Sequence, residues 1–129
     1  MGYIYTNPNP KKAIVGDCAV RAVALANGIS WDLAYDILTD YGFMMKNLPN
    51  ADSVWGAVLK DFGFKRKGIP DTCPDCYSIR EFCIDHPAGT FVVGTGSHVV
   101  AVKDGNYHDT WDCGDEVPIV YWRKEDGIL

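Results

Sequence analysis

Three side chains in this chain have the types and order that nucleophilic catalysis requires. Cys18 follows Gly16-Asp17 where a helix is expected to begin. Ser97-His98 opens an apolar run, and His108-Asp109 lies on the next one. A thiol attacks well only as a thiolate, and both a helix N-terminus and a nearby imidazolium favour that form. A carboxylate beside the imidazole then holds its ring and tautomer. The chemistry such a trio supports is acyl transfer. Each member also has an ordinary use: a small buried hydrophobe for Cys18, a hydrogen-bonded strand histidine for His98, a charge at a sheet edge for Asp109.

The elements that must position them follow from the pattern. Asp17 is placed to cap a helix over Cys18 to Asn27, which Gly28 ends. That helix is apolar nearly all round, with Arg21 the exception, so it is expected to be central and buried. Ser30 caps a second helix, Trp31 to Tyr41, stopped by Gly42. Asp52 or Ser53 caps a third, Val54 to Phe62. Ser78 and Glu81 form a capping box for a short helix before Pro87. Strands are expected near Phe64 to Ile69, at Thr90 to Gly94, from His98 to Lys103, from Asn106 to Trp111 and from Val117 to Trp122. The first ten residues, with Pro8 and Pro10, read as an extended arm, and both termini as short ragged ends. Helices first and then an antiparallel sheet make an α+β fold: a central N-terminal helix packed on a C-terminal sheet.

Asp104-Gly105 is a strong two-residue hairpin signal, and it sets a register. Lys103 then pairs with Asn106, Val102 with Tyr107, Val100 with Asp109, and His98 with Trp111. Side chains of one parity share a face, which puts Asp109 diagonal to His98. His108 and Asp112 fall on the other face. Asp109→Ala is therefore expected to lower activity with the fold intact, and Asp112→Ala to do much less.

A second cluster reads Cys73-Pro74-Asp75-Cys76, Cys83 and His86. Three thiols and an imidazole suit tetrahedral zinc. The alternatives are a core-facing Cys83 with a helix-ending His86, and a Cys73–Cys76 disulfide. Cys113 carries no partner signal. Lys65-Arg66-Lys67 reads as a solvated strand end, and the four tryptophans as core.

The chain has 129 residues, a size that fits one domain over 1–129. Its net charge of -5 argues against nucleic acid as a partner. No run of about 18 apolar residues predicts a membrane span, and no apolar signal core is seen. Five cysteines, an odd count, without such a signal point to a reducing, cytoplasmic setting with free thiols.

The stretches Gly16-Asp17-Cys18-Ala19-Val20-Arg21-Ala22, His86-Pro87-Ala88-Gly89-Thr90-Phe91, Gly96 to Val102 and Tyr107 to Asp112, in that order, resemble the papain-like cysteine peptidase superfamily. The resemblance is to its compact bacterial and phage C39-like members. It implies a papain-like fold with Cys18 as nucleophile, His98 as general base and acid, and Asp109 as orienter. It also implies a peptide or protein substrate and no cofactor. Hydrolysis would make a protease, isopeptidase or amidase; resolution by an amine would be transglutaminase-like. Such peptidases carry a Gln before the cysteine that helps hold the oxyanion. Here that stretch is Asn9-Pro10-Lys11-Lys12-Ala13-Ile14-Val15, and the chain has no Gln. Lys12, Asn9 or Asn7 is expected to fill the place beside the Cys18 N–H. The other reading is a non-catalytic papain-like binding module, such as a phage-encoded inhibitor of a host protein.

Overall fold

The apolar run after Asp17 folds as helix α1 (Cys18–Asn27), closed by Gly28 in the left-handed region. Its small residues Ala19, Ala22 and Ala26 are buried, which lets the helix lie close against the sheet. Full burial of Val23 contributes roughly 1.5–3 kcal/mol. Helices α2 (Trp31–Met45) and α3 (Asp52–Asp61) complete a three-helix layer. A short α4 (Ile79–Asp85) carries the expected capping box between Ser78 and Glu81. The strands are β1 (Gly2–Tyr5), β2 (Phe64–Gly68), β3 (Thr90–Gly94), β4 (Val99–Lys103), β5 (Asn106–Asp109) and β6 (Val120–Lys124). This computed structural model describes residues 2–125. Met1 of the arm and the ragged end expected at 126–129 lie outside the described residues.

The strands form one six-stranded sheet in the order β1-β5-β4-β3-β6-β2. All neighbours are antiparallel except β1, which pairs parallel with β5. The fold is α+β as expected, but the sheet is mixed, and the N-terminal arm is its first strand. One face carries α1, α2 and α3 over Val92, Val99, Ala101 and Trp122. The other carries α4 over Phe91, Val93, Val100, Val102 and Tyr107. Lys65, Arg66 and Lys67 stand exposed on β2, an outer strand, where charge discourages pairing with another chain.

Strand β5 stops at Asp109, short of Trp111, and β6 is shifted to Val120–Lys124, while two helix boundaries depart from expectation for clear reasons. Helix α2 runs through Gly42 and ends at Lys46 in the left-handed region. Gly42 serves close packing instead: a Cβ there would lie 2.9 Å from the Asn47 carbonyl oxygen. Helix α3 begins at Asp52 with Ala51 as its N-cap and no side-chain cap. The Asp52 carboxylate accepts from Trp55 Nε1 at 3.1 Å. No helix among the described residues is long and apolar enough to cross a membrane.

Candidate active site

The Asp104-Gly105 turn gives the expected register without a bulge. Lys103 pairs with Asn106, Val102 with Tyr107 and Ala101 with His108. Extending that register by one residue sets Val100 across from Asp109. His98 stands one residue before β4, and Asp109 is the last residue of β5. In an antiparallel pair these are the same end of the sheet. Strict parity would send His98 toward α4 with Val100, but the sheet stops at this margin. There the start of α1, which packs on β4, meets the two strand ends.

Asp109 is completely buried. Its Oδ2 lies 2.5 Å from His98 Nε2. Its Oδ1 accepts from Arg21 Nη1 at 2.6 Å and from the Thr110 N–H at 2.7 Å. The parallel strand β1 fixes the backbone here: Tyr3 Oη and the Thr6 N–H both donate to the Asp109 carbonyl. Burial alone would push the carboxyl up. The bonds from His98 and Arg21 outweigh it and hold Asp109 below the usual carboxylate range.

His98 closes a turn with Thr95, whose N–H donates to the His98 carbonyl at 2.9 Å; Gly96 supplies the positive φ of 97°. The Trp111 ring lies tilted beside the imidazole at 4.9 Å between centroids, although β5 ends before it. Burial opposes an imidazolium, but Asp109, Cys113 and Cys18 together push the His98 pKa up to about 11. Nε2 is committed to Asp109, so Nδ1 is the nitrogen left to exchange a proton with a thiol.

Cys18 is the first residue of α1 and partly exposed. Burial disfavours its thiolate. Hydrogen bonding and charge from His98, the Val99 backbone and the Arg21 charge outweigh burial, and the thiol falls below its ordinary value. Asp17 does not cap the helix with its side chain. Its Oδ1 takes Arg21 Nε at 2.9 Å and its Oδ2 takes Trp31 Nε1 at 2.9 Å. A carboxylate so paired presses less on the neighbouring thiolate. The arrangement can hold a thiolate beside an imidazolium, with the ring oriented by a carboxylate.

Cys113, for which the sequence offers no partner, is the residue missed. It is 1% exposed, and its donor atom and those of His98 and Asp109 all lie within 4.8 Å of one another. Burial pushes this thiol up to about 11, opposite to Cys18. The loop carrying it is pinned to α4 by the Arg80 N–H on the Gly114 carbonyl, and closed by the Glu116 N–H on the Cys113 carbonyl. Gly114 is the one readable trace: a Cβ there would collide with the Tyr107 hydroxyl and the Arg80 guanidinium. Asp112 also departs from parity, because β5 ends before it. It accepts from the Tyr107 hydroxyl and the Gly114 N–H and stands 3.8 Å from Arg80. Being half exposed and away from the imidazole, Asp112→Ala should leave thiol reactivity near wild type, as thiol alkylation rates would report.

The second cysteine cluster is not gathered into a four-ligand site. Cys73 and Cys76 are joined in a disulfide, the third option for this cluster, which departs from the expected free thiols. The turn Thr72–Cys76 brings them together, with the Asp75 and Cys76 N–H groups both donating to the Thr72 carbonyl. Cys83 is buried in the α4-side core. The His86 ring stacks on Phe82 at 4.0 Å and its Nδ1 bonds the Phe82 carbonyl.

The candidate oxyanion donors separate cleanly. Lys12 is exposed and its Nζ donates to the Asn7 carbonyl at 2.9 Å. Asn7 spends its Nδ2 on the Ala13 carbonyl and its Oδ1 on the Asn9 N–H. Asn9 is 6% exposed and anchors its Oδ1 on the Lys11 N–H. Among the described residues its Nδ2 donates to none. Asn9 lines a cavity of about 320 Å³ with Val15, Gly16, Asp17, Trp31 and Pro49. No protein-family model matches the chain, and neither the curated proteins nor the solved structures yield a match.

Proposed function

We propose that this protein is a small papain-like cysteine hydrolase acting on a peptide, isopeptide or amide bond. The observation that carries the reading is the His98 Nε2–Asp109 Oδ2 pair at 2.5 Å, tied through Arg21 at 2.6 Å to the helix that begins at Cys18. The Cys18 thiolate forms a bond to the substrate carbonyl carbon, and the carbonyl electrons move onto oxygen. Collapse of that oxyanion breaks the C–N bond as His98 gives its proton to the leaving amine. His98 then takes a proton from water, whose oxygen displaces the thiolate and restores the ion pair. The free N–H groups of the first turn of α1 are the donors available to the oxyanion, and Asn9, whose Oδ1 is spent in its own loop, is the one side chain left of the three expected to help.

A binding module remains the second reading, because two of the three side chains expected to replace the missing Gln are consumed in the loop itself. Electrophilic peptide probes separate the two, read by intact mass and peptide mapping. A hydrolase should take one adduct, on Cys18, and none after Cys18→Ala, while the buried Cys83 and Cys113 stay unmodified. Full probe insensitivity of the folded wild-type protein would favour the binding module.

A further inference from the structure

We propose that His98, Asp109 and Cys113 form a binding site for one zinc ion. The site shares His98 and Asp109 with the hydrolase reading but does not rest on it. An imidazole nitrogen, a carboxylate oxygen and a thiol sulfur lie within 4.8 Å of one another, with Asp109 and Cys113 buried. Zinc bonds of about 2.0–2.3 Å place tetrahedral ligands roughly 3.3–3.8 Å apart. The 2.5 Å hydrogen bond between His98 Nε2 and Asp109 Oδ2 must widen to roughly 3.3 Å to admit the ion, while the Cys113 sulfur lies within 4.8 Å of both.

The donor set selects the metal. A thiolate with an imidazole suits zinc, whereas magnesium and calcium take oxygen donors. Three protein ligands leave the fourth position to water. The surroundings already hold the ligands in place. Arg21 and the Thr110 N–H occupy Asp109 Oδ1, which leaves Oδ2 turned to His98. Two backbone hydrogen bonds fix the Cys113 loop, at 3.0 Å each. Such outer contacts orient metal ligands and sustain affinity.

The charge also balances. Zinc displaces the Cys113 proton and the imidazolium proton of His98 to solvent. Two positive charges enter as two leave, so the Arg21 pairing with Asp109 feels no new net charge. Zinc bound here takes the imidazole and carboxylate away from Cys18, and the thiol loses its proton partner. In acyl transfer Cys113 has no part, because Cys18 supplies the nucleophile; metal binding gives the buried thiol a use.

The test is calorimetric zinc titration with cobalt(II) absorption as a second readout. The host is the full chain carrying Cys73→Ser and Cys76→Ser, which removes a pair that would compete for zinc once its disulfide is reduced. One zinc per chain and a thiolate-to-cobalt charge-transfer band are expected. Cys113→Ser should abolish the band and weaken zinc at least about tenfold. Cys83→Ser, which removes a second thiol of the same core, should keep both. If Cys113→Ser does not fold, His98→Gln gives the same decision. Zinc held equally well without Cys113 or without His98, or no zinc held by the host, overturns the site. Neither readout needs turnover; probe labelling of Cys18 in the zinc-free protein tests the hydrolase reading separately, and its failure there leaves the zinc site standing.

Discussion

Arg21→Met should destabilise the protein by about 3–5 kcal/mol, the range expected when one partner of a buried ion pair is removed. Arg21 is 5% exposed and ties together two buried carboxylates. Its Nε lies 2.9 Å from Asp17 Oδ1 and its Nη1 2.6 Å from Asp109 Oδ1. Burial works against its charge, yet the bonds from Asp17 and Asp109 prevail and raise its pKa. Without it, two carboxylates face a low-dielectric interior with only Trp31, Thr110 and His98 to serve them. The acid limb should move as well. Asp109 titrates below its ordinary value, so its contribution is present above the unfolded carboxyl pKa and is lost as pH falls through the folded one. Removing Arg21 raises that folded value, and the variant should begin to lose stability at higher pH than wild type. Denaturant melts across the acid range measure both effects, and a loss under about 1 kcal/mol would mean the network is not structural. The same network changes what Asp109→Ala does. The sequence suggests lower activity in an intact fold; with Arg21 left half unpaired, the fold itself should weaken.

Arg21 is a structural hub that local sequence pattern does not reveal. In the sequence it is only the residue that breaks an apolar helix. Its partners, at positions 17 and 109, are a local neighbour and a residue 88 positions away. Local spacing could suggest the first and not the second. Asp109 itself was legible in part: Asp104-Gly105 fixes the hairpin and brings residue 109 to the His98 end of the sheet, but parity puts Val100 and Tyr107 on the α4 side while Asp109 bonds Arg21 of α1. Helix α1 and strand β3 have the boundaries their patterns predict, since Asp17, Gly28 and the alternating apolar residues are strong local signals. Strand β1 was not legible as a strand, because its pairing with β5 spans about a hundred residues and nothing in Gly2–Tyr5 names the partner. Cys113 was invisible for a related reason. It lies in an irregular loop past the end of β5, where periodicity says nothing, and its place depends on Arg80, Gly114 and Tyr107 closing around it.

His98→Ala should slow alkylation of Cys18 at pH 6 by about 100-fold or more. An ordinary thiol near pKa 8.5 is thiolate only to about one part in 300 at that pH. In this protein the thiol is lowered, first against burial and then through His98 and its charge. Without the imidazole, burial remains and the main counterweight is gone, so the thiol returns to its ordinary range or above it. The wild-type rate with iodoacetamide should therefore rise at a pH below the ordinary thiol titration and stay level through neutrality. The level ends when the imidazolium deprotonates, toward the His98 value of about 11. The two groups titrate as a pair, so the limbs belong to the pair and not to either residue alone. The same ion pair has a stability signature with the opposite sense to that of Asp109. A His98 pKa raised above its unfolded value contributes stability that is complete below about pH 6.5 and is lost as pH rises toward 11. His98→Ala should flatten that alkaline loss as it removes the acid-side reactivity. Equal alkylation profiles in the two proteins would show that Cys18 owes its ionisation to the helix start alone, and the imidazole would have no claim on the thiol's proton.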